Sequence, residues 1–217
     1  LPAEKNPCSA REFTEKLRYA RAWSDYYGRP VHIGEFGCLA TIDAGSRRNF
    51  IGAFTQAAAL ERKYMAEDKD YGNGHHGHNV HFLAVALSAD GQFDAAVSAA
   101  KELLTYAETD KEKKTPDAYR TAFRQGSFAM VRTLVWGEKW DEILTGSLLP
   151  DLATPREKFW RHWARGLAFA AKKEVASATS ELAAMRAVQA DFEKQVKVAP
   201  PKEFDVALQD LQGFIYL

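Results

Sequence analysis

Cysteine is nearly missing from this chain: Cys8 and Cys38 are the only two. Two thiols cannot build a disulfide framework or a four-thiolate zinc centre. They read as free, partly buried thiols, or as one bond if the compartment is oxidising. An excess of charge is missing too, because 29 Lys and Arg balance 29 Asp and Glu. That balance points away from nucleic acid and from an anionic membrane surface as partners. No apolar run approaches the roughly 18 residues of a bilayer-crossing helix, so a soluble chain with no membrane partner is expected. The opening Leu1-Pro2-Ala3-Glu4-Lys5 is no signal peptide, and with no initiator Met it reads as a trimmed or excerpted chain. Localisation stays open. What is not lacking is hydrophobic content: apolar residues make up 46% of the 217, enough for a real core and against general disorder.

Strand patterns are also scarce. Val31-His32-Ile33 is the one strand-like run; the rest follows helical periodicity. Ser9 and Glu12 have capping-box spacing, and Phe13, Leu17, Ala20 and Trp23 then form one face of a helix to about Tyr27. Gly28-Arg29-Pro30 ends it. Ser46 is placed to cap a helix from Arg47 to about Glu67. Beyond the charged, glycine-rich stretch 67–74, helices are expected over about 79–89, 93–107, 116–135, 138–145, 156–171, 174–194 and 203–216. The Lys111-Glu112-Lys113-Lys114 run reads as a solvated loop.

The alanine-rich part carries a helix–turn–helix signature in Leu83, Ala84, Leu87, Gly91, Phe93, Ala96, Ala100 and Leu103. Small residues let two helices approach, Gly91 turns the chain, and large residues fill the seam. Weaker echoes stand at Trp136–Leu144 and at Trp160–Met185, with turns near 91, 137 and 173. With His78-Asn79-Val80-His81-Phe82-Leu83-Ala84, this pattern over residues 60–217 resembles a divergent bacterial tetratricopeptide repeat. The resemblance implies an α-solenoid of stacked helical hairpins with a concave surface for a peptide or partner protein.

Residues 10–56 carry a second resemblance. Ala22-Trp23, the run Tyr27-Gly28-Arg29-Pro30-Val31-His32-Ile33-Gly34-Glu35-Phe36-Gly37, Asp43, Ser46-Arg47 and Phe54 are similar to the nucleophile-bearing segment of glycoside hydrolase family 5. The resemblance implies one helix–strand–helix unit of a (β/α)8 barrel, with Glu35 as the carboxylate nucleophile that attacks a β-1,4-glucan. The family's second glutamate, preceded by Asn, has no counterpart, and neither do the other barrel strands. Retaining hydrolysis requires two carboxyl groups about 5–5.5 Å apart. The other reading of Glu35 is a turn residue in a relic segment.

Four of the six histidines fall in His75-His76-Gly77-His78-Asn79-Val80-His81. On a helix, His78 and His81 share a face and His75 can fold back toward them, a possible site for zinc, copper or nickel, with His76 as a substitute ligand. The alternative is packing and polar capping. His32 and His162 read as structural. Trp136, Trp140, Trp160 and Trp163, at helix-face spacing, read as core rather than as a sugar-stacking platform.

The expected fold class is mainly α: tetratricopeptide-like helical hairpins over residues 57–217, preceded by a partial glycoside-hydrolase-like helix–strand–helix segment over 1–56. Such a segment buries too little to stand alone and is expected to pack on the repeats or on a second copy, giving a homodimer. The expected function is a binding module for a peptide, a protein or a small ligand. The alternative is β-glucan hydrolysis through Glu35.

Overall fold

The structure is a computed structural model, and it describes residues 10–28, 43–67, 74–113, 121–149 and 154–217. Glu35, the expected strand 31–33, Cys8 and Cys38 lie outside the described residues. The described residues form ten helices and no strand. In order these are α1 (Ala10–Tyr27), α2 (Ala44–Glu67), α3 (Gly74–Ala89), α4 (Phe93–Leu104), α5 (Asp110–Lys113), α6 (Ala122–Trp136), α7 (Trp140–Thr145), α8 (Pro155–Ala171), α9 (Val175–Val196) and α10 (Lys202–Tyr216). None is long and apolar enough to cross a membrane.

The mainly α expectation holds, and the helix pairs sit where alanine periodicity places them. Short turns join α3 to α4, α6 to α7 and α8 to α9, and each pair packs together. Helix α6 also packs on α3 and α4, α8 on α6 and α7, and α10 on α8 and α9. The first helices α3, α6, α8 and α10 therefore touch in sequence, while α4, α7 and α9 lie against them. Helix α2 covers α3 at one end, and it runs unbroken through the boundary expected at residue 56.

The three pair-forming turns share one hydrogen-bond pattern. The N–H groups of Gln92, Lys139 and Glu174 reach back five residues to the carbonyls of Leu87, Leu134 and Phe169, each at 2.9 Å. This is the Schellman closure, which satisfies carbonyls left over at a helix end and needs one left-handed residue. Gly91, Glu138 and Lys173 take that position, with φ of 80°, 50° and 63°. Ala96, Ile143 and Ala178 follow at the same distance from each turn, and all three are fully buried. The second turn falls near Gly137 as expected, and within it Glu138 is the left-handed residue. Gly137 is needed for closeness instead, since a Cβ there would stand 2.9 Å from the Phe93 ring.

One core gathers Val80, Ala84, Leu103, Met130, Leu134 and Ile143 between the first two pairs. A second gathers Phe159, Met185, Phe192, Phe204 and Leu211 between α8, α9 and α10, with Phe159 stacked on Phe204 at 3.7 Å. Trp140, Trp160 and Trp163 pack against both cores, as expected. Trp136 does not, and is 50% exposed. No described side chain of α1 is buried.

Candidate functional site

Helix α3 begins at Gly74, five residues before the expected start, so the whole histidine run is helical. Consecutive residues on a helix point about 100° apart, and the four imidazoles accordingly meet different surroundings. His75 is exposed. His76 points inward and is fully buried. His78 is half-buried against Phe82, ring centroids 4.7 Å apart. His81 faces α6, where its Nδ1–H donates to Gln125 Oε1 and its Nε2 is closed to water without a partner. Among the described residues, no group of three or more His, Cys, Asp or Glu is arranged to hold a metal ion. His75, His78 and His81 share one helix, but the structure does not bring their rings to a common point.

His76 instead lies between two carboxylates. Its Nε2 donates to Glu102 Oε1 of α4 at 2.9 Å, and its Nδ1 stands 3.4 Å from Glu61 Oε2 of α2. Arg62 forks onto the same Glu102, Nε to Oε1 at 2.7 Å and Nη2 to Oε2 at 2.6 Å. Asn79 Nδ2 donates to Glu61 Oε1 at 2.9 Å, and the Tyr106 ring meets His76 edge-on at 5.7 Å. Burial works against charge here but is outweighed. Against burial, hydrogen bonds from His76 and Arg62 bring the Glu102 carboxyl down to about 2. Against burial again, Glu102 and Glu61 raise the His76 imidazole above its ordinary range. Both ring nitrogens of His76 thus face acids, a setting that favours the protonated imidazole, although Nδ1 makes no hydrogen bond of ordinary geometry to Glu61. Such a cluster pins α2, α3 and α4 together.

A second cluster repeats the chemistry on α8 and α9. Glu181 accepts from His162 Nδ1 at 2.6 Å and from Arg165 Nε at 2.7 Å, and these bonds lower its carboxyl despite burial. His162 is structural, as its isolation in the sequence suggests.

The exposed surface beside the first cluster has another character. Phe54 of α2 stacks on Phe82 of α3, 5.9 Å apart and 17° from parallel. Phe82 remains 38% exposed. On α6, Arg132 lies over the Trp136 ring with its Cζ 5.9 Å from the centroid. It has no carboxylate partner among the described residues; its side chain reaches solvent, while desolvation by the protein packed around it lowers its pKa. The exposed Phe82 on α3 and the Arg132–Trp136 pair on α6 mark the candidate binding surface.

Sequence reasoning passed over Glu102 and Arg132, and considered Glu61 only as an acid near in sequence to Glu35. Glu61 leaves a trace, because it extends the buried stripe of Phe54 and Ala58 at helical spacing and so sets an acid where an apolar residue belongs. Glu102 leaves none, its partners Arg62 and His76 being far away along the chain. No known protein family, no curated protein and no solved structure matches this chain.

Proposed function

We propose that this chain is a helical-repeat binding module, its hairpins stacked as in tetratricopeptide-like arrays, that holds a peptide segment of a partner on the face of α2, α3 and α6. The observation that carries the reading is the threefold recurrence of one turn, with the same 2.9 Å closure, the same left-handed residue and the same buried position five residues on. Recurring units of this kind bury a continuous core only by stacking, and stacking leaves a long groove of first helices open to a partner. Aromatic side chains such as Phe82 and Trp136, exposed on that face, are the residue types that anchor protein partners. The His–Glu–Arg clusters hold the helices in register.

The test is selection from a displayed library of random twelve-residue peptides against the full chain, followed by amide chemical-shift mapping of the enriched sequences. The reading expects micromolar ligands that shift residues of α3 and α6. It is overturned if no sequence is enriched, or if the enriched sequences map elsewhere. Release of reducing sugar from a soluble β-1,4-glucan, lost on Glu35→Gln with the fold intact, would favour the hydrolase reading instead.

A further inference from the structure

The chain as a whole is neutral, but its helix pairs are not. Helices α3, α6 and α8, the first of each pair, carry Arg124, Arg132, Arg156, Lys158, Arg161 and Arg165 against a single acid, Glu157. Helices α3 and α6 contain no Asp or Glu at all. The second helices α4, α7 and α9 carry seven acids against three cations. Positive charge is therefore drawn to one layer and negative charge to the other. Part of it is used inside the fold: Arg124 Nε donates to Glu108 at 2.6 Å, and Arg165 to Glu181. Arg132 is different, being exposed, free of carboxylate partners among the described residues, and held over the exposed ring of Trp136. Imidazoles of His78 and His81 lie nearby, and an arginine held over an aromatic ring keeps its outward N–H groups for a ligand.

We infer that the partner segment is an acidic peptide with interspersed apolar residues, whose carboxylate pairs with Arg132 while its apolar side chains pack on the exposed rings of Trp136 and Phe82. The inference rests on the binding-module reading above and adds the chemistry of the ligand. Charge complementarity chooses this occupant: a basic segment would meet Arg132 with no acid on α3 or α6 to offset it.

The test uses the full chain and three fluorescein-labelled nonapeptides in which Leu alternates with Glu, Gln or Lys, followed by fluorescence anisotropy at low salt. The Glu peptide is expected to bind at least about tenfold more tightly than the other two, and to weaken as salt rises. Arg132→Gln should cost the Glu peptide about fivefold, the upper end for one solvent-exposed charge pair. Arg132→Glu should reverse the order of the Glu and Lys peptides, with circular dichroism showing an unchanged fold. Equal binding of the Glu and Gln peptides, tighter binding of the Lys peptide, or an unchanged order in Arg132→Glu overturns the inference. If none of the three binds while library selection yields ligands without acidic enrichment, this inference falls and the binding-module reading stands. If selection also yields nothing, both fall.

Discussion

Acidification acts on this fold first through His81. Its Nδ1–H is committed to Gln125, so a second proton must go to Nε2, which is closed to water, lacks an acceptor, and has Arg132 and His78 nearby. Burial is the main reason that its pKa falls from 6.5 to about 4, with Arg132 and His78 adding to the shift. The unfolded chain therefore takes the proton more readily than the folded one. The stability that His81 contributes is complete above its unfolded pKa and is lost as pH falls through the folded value. Integrated over that window the loss is about 2 kcal/mol by pH 5 and about 3 kcal/mol near pH 4. His76 and Glu157 are shifted upward and act in the opposite direction, so the wild-type curve alone mixes terms. His81→Leu separates them. That variant loses the Gln125 bond at every pH, which moves the curve down, but it removes the slope due to His81. Urea unfolding followed by circular dichroism at pH 7.5, 6 and 5 measures both. The difference in unfolding free energy between wild type and variant should shrink by about 2 kcal/mol from pH 7.5 to 5. Parallel curves would refute the reasoning, and with it the buried, unpaired state of Nε2.

Three further outcomes follow from the packing. Glu138 and Lys173 sit in left-handed backbone that only glycine adopts freely, so Glu138→Gly and Lys173→Gly should each raise stability by about 0.5–1 kcal/mol, read as a higher urea midpoint; a lower midpoint in both counts against the Schellman reading. Gly126→Ala should lower stability by about 1–3 kcal/mol despite alanine's better helix propensity, because its Cβ would meet Leu103 Cβ at 2.7 Å and the Ala100 carbonyl at 3.0 Å. Glu157 is buried with neither carboxylate oxygen paired, and burial raises its pKa, so it stabilises the fold only while protonated, an advantage lost as pH rises through the folded value. Glu157→Gln should therefore raise the melting temperature at pH 7.5 and bring little gain at pH 4; a lower melting temperature at pH 7.5 would contradict this.

The helix pairs were legible because alanine-rich periodicity reports burial directly: Ala84, Ala96, Ala100 and Ala178 are all fully enclosed. The start of α3 was not legible. Glycine and histidine at 74–78 have low helix propensity, and only tertiary contacts reverse that. Gly77 brings α3 within 2.9 Å of Ala122 Cα, measured from the Cβ it lacks, and His76 gains its carboxylates from α2 and α4. The start of α6 moved the other way, from an expected 116 to Ala122, where the Thr121 hydroxyl accepts the Arg124 N–H at 3.2 Å. That cap is a local signal that the periodicity obscured. Likewise Asp43, rather than Ser46, opens α2, its carbonyl accepting the Arg47 N–H at 3.1 Å. The ion clusters were out of reach for a different reason. His76 lies 26 residues from Glu102, and Arg62 lies 40 from it. No local spacing encodes such a meeting. Only the stack of pairs brings it about.

That stack also separates holding the fold together from meeting a partner. Glu102 and Glu181 each bridge one imidazole and one guanidinium, and both lie on second helices. Side chains in these clusters are largely shielded, so salt weakens them little. Arg132 is the opposite case, exposed on a first helix with its charge unspent among the described residues. An acidic ligand held there should be released at salt concentrations that leave the helix pairs folded, since the two kinds of charge differ in burial, not in chemistry.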